Sequence, residues 1–159
     1  MVKKYKNLLL LLLVLFSGSI NSVFGQEENS QETAFNKNSV YGNVGVAGLY
    51  FTATGYYERL VAQNSDISSF VKFGIGSYAL WGEGGQYILA QYGILTGAKK
   101  HHLEIGAGLN TFLSGDLEGD FLPLSGTIGW RIQKPGGNFI FRTGLSFPEA
   151  AYIGFGGSL

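Results

Sequence analysis

His102-Leu103-Glu104-Ile105-Gly106-Ala107-Gly108-Leu109-Asn110-Thr111 holds the pattern that sets the architecture. Leu103, Ile105, Ala107 and Leu109 take every second position, with His102, Glu104, Gly106, Gly108 and Asn110 between them. Successive side chains of a strand point to opposite faces, so an apolar set at period two marks a half-buried strand. Beyond this segment the alternation recurs up to the last residue. It predicts eight strands, at 40–50, 52–62, 69–81, 86–97, 101–113, 121–133, 138–147 and 150–159. The breaks carry turn residues: Gln63 to Asp66, Gly82 to Gly85, Gly97 to Lys100, Ser114 to Asp120, Lys134 to Gly137 and Pro148-Glu149. The join near Tyr50 to Thr52 reads either as a very tight hairpin or as a bend in one long strand. No helix-period segment follows the first 25 residues.

Ahead of the strands, Lys3, Lys4 and Lys6 precede an unbroken apolar run from Leu8 to Phe16. A basic start with a short apolar core is a secretory signal peptide, and the core falls short of the roughly 20 residues of a spanning helix. Val23-Phe24-Gly25 places the expected cleavage after Gly25. The expected division is a signal peptide at 1–25, a flexible polar lead-in at 26–38 on the periplasmic side, and one barrel domain at 39–159. The chain has no cysteine, which excludes disulfides, thiolate metal sites and a lipoprotein anchor. Its net charge is zero, so no electrostatic footprint for nucleic acid exists. Glycine is abundant, but aromatic residues make up 14% of the chain, unlike a disordered glycine-rich segment.

The two faces of the strands differ in kind. Leu122, Leu124, Ile128, Trp130 and Ile132 oppose Ser125, Thr127, Gly129, Arg131 and Gln133. Phe139, Phe141, Leu145 and Phe147 oppose Asn138, Arg142, Gly144 and Ser146, with Ile140 as an exception. Val71, Phe73, Ile75 and Trp81 oppose Lys72, Gly74 and Gly76. A soluble barrel would bury the apolar set and cover its outside with Lys and Glu, yet only 14% of residues are charged. Eight strands enclose an interior just wide enough for side chains, which large apolar residues from every strand would overfill. The polar and small face is therefore expected inside and the large apolar face in lipid. The expected fold is all-β: an eight-stranded antiparallel up-and-down transmembrane β-barrel behind a cleaved signal peptide. An even strand count puts both termini on the periplasmic side. Tyr41, Tyr57, Trp81, Tyr87, Phe112, Trp130, Phe139 and Phe147 lie near predicted strand ends, suited to interfacial aromatic girdles.

Glu58, Lys72, Glu104, Arg131 and Arg142 fall on the inward face and form a candidate lumen polar network. Charges in a narrow lumen must pair, and the network reads as a filled interior or as a narrow ion path. His101 and His102 sit beside Lys99 and Lys100 and read as part of a solvated basic turn. Adjacent histidines on a strand point apart and make a poor metal pair. Asp116, Glu118 and Asp120 alternate in a loop without a full calcium ligand set. Gly74-Ile75-Gly76 and Gly106-Ala107-Gly108 open no helix and fit no phosphate fingerprint; they relieve crowding inside a barrel. No Ser/His/acid arrangement is apparent. No catalytic set, cofactor or metal site is therefore expected, and no enzyme.

Several phrases together resemble a family of small uncharacterised bacterial outer-membrane β-barrel proteins. They are Gly48-Leu49-Tyr50, Tyr57-Glu58-Arg59, Lys100-His101-His102-Leu103-Glu104-Ile105-Gly106-Ala107-Gly108 and Phe121-Leu122-Pro123-Leu124. The stretch from Gly129-Trp130-Arg131-Ile132-Gln133 to Phe141-Arg142-Thr143-Gly144 belongs with them. The likeness covers nearly all of the chain after the leader and is most distinctive between Lys100 and Gly108. It implies an eight-stranded membrane barrel and supplies no activity or site residues. Tyr152, Gly154 and terminal Leu159 are similar to the C-terminal insertion signal read by the barrel assembly machinery. Gly157 replaces a hydrophobic residue of that signal, and Leu159 replaces its usual aromatic. The expected role is structural or interactive, in the bacterial outer membrane. The expected partners are membrane lipid and, during insertion, the assembly machinery, with the barrel a monomer. The alternatives are a narrow pore or small-molecule binding barrel, and a soluble periplasmic ligand-binding β-barrel with its faces reversed.

Overall fold

β1 (Asn38–Ala47) and β2 (Tyr50–Gln63) form a hairpin that pairs Ala47 with Tyr50 across a two-residue turn. Gly48 takes φ +62 there, a left-handed position such tight turns need and that suits glycine. The join thus lies at Gly48-Leu49, before the expected Tyr50 to Thr52. β3 (Ile67–Leu80) and β4 (Glu83–Thr96) meet through Trp81-Gly82, both with positive φ. Gly84 and Gly85, expected in a turn, pair with Ala79 and Tyr78 inside this ladder. β5 (His101–Ser114), β6 (Leu124–Gln133), β7 (Phe139–Phe147) and β8 (Ala150–Ser158) complete the chain.

Each strand pairs antiparallel with its sequence neighbour, and β8 pairs with β1 to close an eight-stranded up-and-down barrel. This computed structural model describes residues 35–64, 66–97, 99–115, 117 and 123–159. The expected signal peptide at 1–25, most of the expected 26–38 lead-in, the acidic positions 116, 118 and 120, and the 121–122 start of the sixth predicted strand lie outside them. Closure gives every strand a neighbour on both sides. Register followed around the ring runs from Asn38 through Arg59, Val71, Tyr92, Ala107, Gly126 and Phe147. Carried across β8, it returns to β1 about ten residues further along, a stagger that tilts eight strands by roughly 40°.

Burial alternates along every strand, so the polar face points inward and the large apolar face outward. The interior corrects one expectation. It holds large rings as well as small residues: Tyr41, Tyr56, Phe70, Tyr78, Tyr87 and Phe112 are buried. Tyr41, Tyr87 and Phe112 therefore do not belong to an outer girdle. The rings fit because glycine stands opposite most of them. Tyr41 faces Gly156, Tyr56 faces Gly74, Phe70 faces Gly93, Tyr87 faces Gly76 and Tyr152 faces Gly144. A Cβ on Gly74 would stand 2.6 Å from the Tyr56 ring, and one on Gly76 equally close to that of Tyr87. Each glycine gives up a side chain's volume to the ring lying across it.

Candidate functional site in the barrel lumen

Period-two placement on five strands sends Glu58 (β2), Lys72 (β3), Glu104 (β5), Arg131 (β6) and Arg142 (β7) into the lumen, each about 1% exposed or less. Arg131 and Arg142 lie directly opposite in the β6–β7 ladder, a like-charge neighbour pair. The two glutamates resolve that repulsion from across the barrel. Arg131 donates to Glu58 Oε1 at 2.6 Å, and Tyr41 donates to Glu58 Oε2 at 2.8 Å. Glu104 accepts from Lys72 Nζ at 3.0 Å and from Arg142 Nε at 2.9 Å, and its Oε1 also takes the Arg142 NH2. The five charges thus form two groups, Glu58–Arg131 and Lys72–Glu104–Arg142.

Rings and neutral polar groups fill the space around these ions. The Arg142 guanidinium lies 4.1 Å from the Tyr41 ring centre, and Lys72 Nζ lies 5.3 Å from that of Tyr56. A desolvated cation over a ring face gains from the ring quadrupole. Lys72 also donates to Thr127, which donates to Gln91 Oε1 at 2.9 Å. Gln91 in turn donates to Ser125, and Ser125 to the Phe147 carbonyl at 2.9 Å. Charged groups out of water are tolerated only when paired and hydrogen-bonded, and this layer meets that condition for its carboxylates.

Each end of the lumen is capped. At the end where the chain enters, Phe35 packs on Leu60, Phe70 and Leu95, with its ring edge-on to His102 at 5.0 Å. Gln63 holds the Phe35 backbone with two hydrogen bonds of 2.9 and 3.0 Å. Folded structure therefore begins before residue 39, inside the stretch expected to be a flexible lead-in. At the opposite end the β7–β8 turn folds inward and buries Glu149. Asn43 donates to Glu149 Oε2 at 3.1 Å, Thr52 to the Glu149 carbonyl at 3.4 Å and Tyr50 to the Pro148 carbonyl at 2.9 Å. Leu117 donates its amide to the Tyr78 hydroxyl at 3.1 Å, and Tyr50 stacks on Tyr78.

His102 departs from its expected place in a solvated turn. It is 1% exposed, and its ring nitrogens lie 2.8 and 3.2 Å from the carbonyls of Thr96 and Gln133. His101 points outward and accepts from Trp130 Nε1 at 3.3 Å. The pair therefore points to opposite faces, and among the described residues no cluster of His, Asp and Glu is placed to hold a metal. Of the candidate insertion signal, Tyr152 is buried in the lumen with its ring 5.5 Å from the Arg142 guanidinium. Gly154 leaves room for the Asn43 side chain, and Leu159 is exposed, its amide donating to the Asn38 carbonyl at 2.7 Å.

Residues that the sequence left out of the lumen had unequal signals. Tyr41 and Tyr87 share the inward parity of Asn43 and Gln91. Phe35 stands out as an aromatic in a polar stretch. Glu149 has no local signal, because only the fold of its turn carries it inside. No family model, no curated protein and no solved structure matches the chain.

Proposed function

We propose that this chain is a small outer-membrane β-barrel with a structural or interaction role in the cell envelope, and a member of the family it resembles. The outer wall carries the reading. Phe51, Phe73, Ile75, Leu124, Ile128, Leu145 and Phe155 are each at least half exposed. Among the described strand residues the exposed charges are Arg59, near the chain-entry end, and Glu83, at the first position of β4. An apolar band that encircles a monomer finds its natural solvent in hydrocarbon. Strands of 9 to 14 residues suit the crossing length of a tilted strand. A shallow crease of about 710 Å³ runs on this outer wall beside Ala47, Gly126 and Ala151.

The filled lumen favours a structural or interaction role over a pore. Ion pairs span its middle, Phe35 caps one end and Glu149 the other. Tyr152, Gly154 and Leu159 are offered to the assembly machinery during insertion, and the finished barrel sits in lipid as a monomer. The test is fractionation of cells expressing the full chain, followed by gel migration of the membrane fraction with and without heating. Outer-membrane recovery and a heat-dependent shift are expected. Recovery as soluble periplasmic protein with no shift refutes the reading.

A further inference from the structure

The charges outside the lumen are sorted by end. Lys37, Arg59, Lys99, Lys100 and Lys134 are all exposed, and all stand at the end where the chain enters and leaves the barrel. Lys37 precedes β1, and Arg59 lies opposite Asn38 in the β1–β2 ladder. Lys99 and Lys100 occupy the β4–β5 turn and Lys134 the β6–β7 turn. Asp66 is the one acidic side chain described at that rim. At the opposite rim the described residues include the exposed Glu83 and no cation. Two amphipathic rings mark the boundary between the apolar wall and the basic rim. Tyr57 donates to Asn38 Oδ1 at 2.9 Å, and Trp130 donates to His101.

We infer that this rim is a collar for the phosphate groups of anionic phospholipid in the leaflet at the chain-entry end. The inference rests on the membrane reading above and names a lipid partner for it. Long basic side chains beside an apolar wall keep their stems against lipid and place their cations at head-group depth. There they attract anionic head groups and fall out of reach of them within a Debye length. The five cations come from three separate parts of the rim, so they select a class of head group around the circumference and do not form one pocket. The competing occupant is the chain's own lead-in, whose Glu27, Glu28 and Glu32 carry the complementary charge.

The two tryptophans of the chain make the test internal, since Trp130 stands beside the basic rim and Trp81 at the other. Trp81→Phe and Trp130→Phe proteins are placed in phosphatidylcholine vesicles containing phosphatidylglycerol. One or the other lipid is brominated near the head-group end of its chains. Trp130 is expected to be quenched as if phosphatidylglycerol were enriched about fivefold beside it, while Trp81 shows no preference. Arg59→Gln/Lys99→Gln/Lys100→Gln/Lys134→Gln abolishes the preference, and the milder Lys99→Gln/Lys100→Gln, a safeguard against misfolding, reduces it. Equal quenching of Trp130 by both lipids, in a protein that still gives a heat-shifted band, overturns the collar and leaves the membrane reading intact. No shifted band and no quenching by either lipid overturns both. A preference that emerges only in Glu27→Gln/Glu28→Gln/Glu32→Gln assigns the rim to the lead-in and overturns the lipid collar.

Discussion

Glu104→Gln should be among the most damaging isosteric changes in this barrel. The carboxylate accepts from Lys72 and twice from Arg142, with both cations 1% exposed or less. The amide keeps the shape but removes the charge, and its NH2 turns a donor toward groups that are themselves donors. Hydrogen bonds to charged groups are worth about 1.5–3 kcal/mol each, and their loss here is not additive because they share one acceptor group. Removing one partner of a buried ion pair costs about 3–5 kcal/mol, which sets the expected loss near 4 kcal/mol. Urea unfolding in lipid vesicles, followed by tryptophan fluorescence and by the unheated gel band, reads that loss. Lys72→Met/Glu104→Leu/Arg142→Met should recover most of it, since apolar replacement of a whole buried ion group is often close to neutral. The reasoning is refuted if Glu104→Gln stays within about 1 kcal/mol of the parent, the range of a solvent-screened pair. It is also refuted if the triple variant is as unstable as the single one, because shape would then matter more than charge.

Gly76→Ala would push a methyl against the Tyr87 ring and the Ala53 carbonyl, at a cost of about 1–3 kcal/mol in the same unfolding assay. Gly55→Ala, with open space at its Cβ, should stay within about 0.5 kcal/mol. Ile75→Lys, on the outer wall, should cost about 2–4 kcal/mol in a bilayer and reduce the shifted band, whereas a soluble barrel would accept it freely. His102→Ala should destabilise by about 2 kcal/mol because a buried carbonyl loses its donor and the space under Phe35 is emptied, while His101→Ala should change stability by about 0.5 kcal/mol or less. Phe35→Ala should cost about 3 kcal/mol by emptying the cap over Leu60, Phe70 and Leu95, and planar-bilayer recordings should remain silent because the ion layer still fills the lumen.

The chain's alternation is local information, and it was enough for the number of strands, though not for the β1–β2 join or the start of β4. Leu103, Ile105 and Leu109 against Glu104, Gly106 and Asn110 settle which side chains share a face without reference to any other strand. The same parity sends Glu58, Lys72, Glu104, Arg131 and Arg142 to one face, and turn residues such as Gly82 and Gly97 separate the hairpins. What parity cannot supply is distance across the barrel. Glu58 sits opposite Lys72 in its ladder yet pairs with Arg131, 73 residues away in sequence. That choice follows from closing eight staggered strands into a ring. The stagger also decides that Tyr41 meets Gly156 and Tyr87 meets Gly76, so rings that looked too large for the lumen have room within it. Phe35 and Glu149 cap the lumen because their short flanking segments fold over the barrel ends, a placement with no period to announce it. Sequence alone determined the strands and their faces, since both depend on the two-residue repeat of a single extended chain. Only tertiary structure decided the ion partners, the ring–glycine pairs and the caps, since each depends on how distant strands are brought level when the sheet closes.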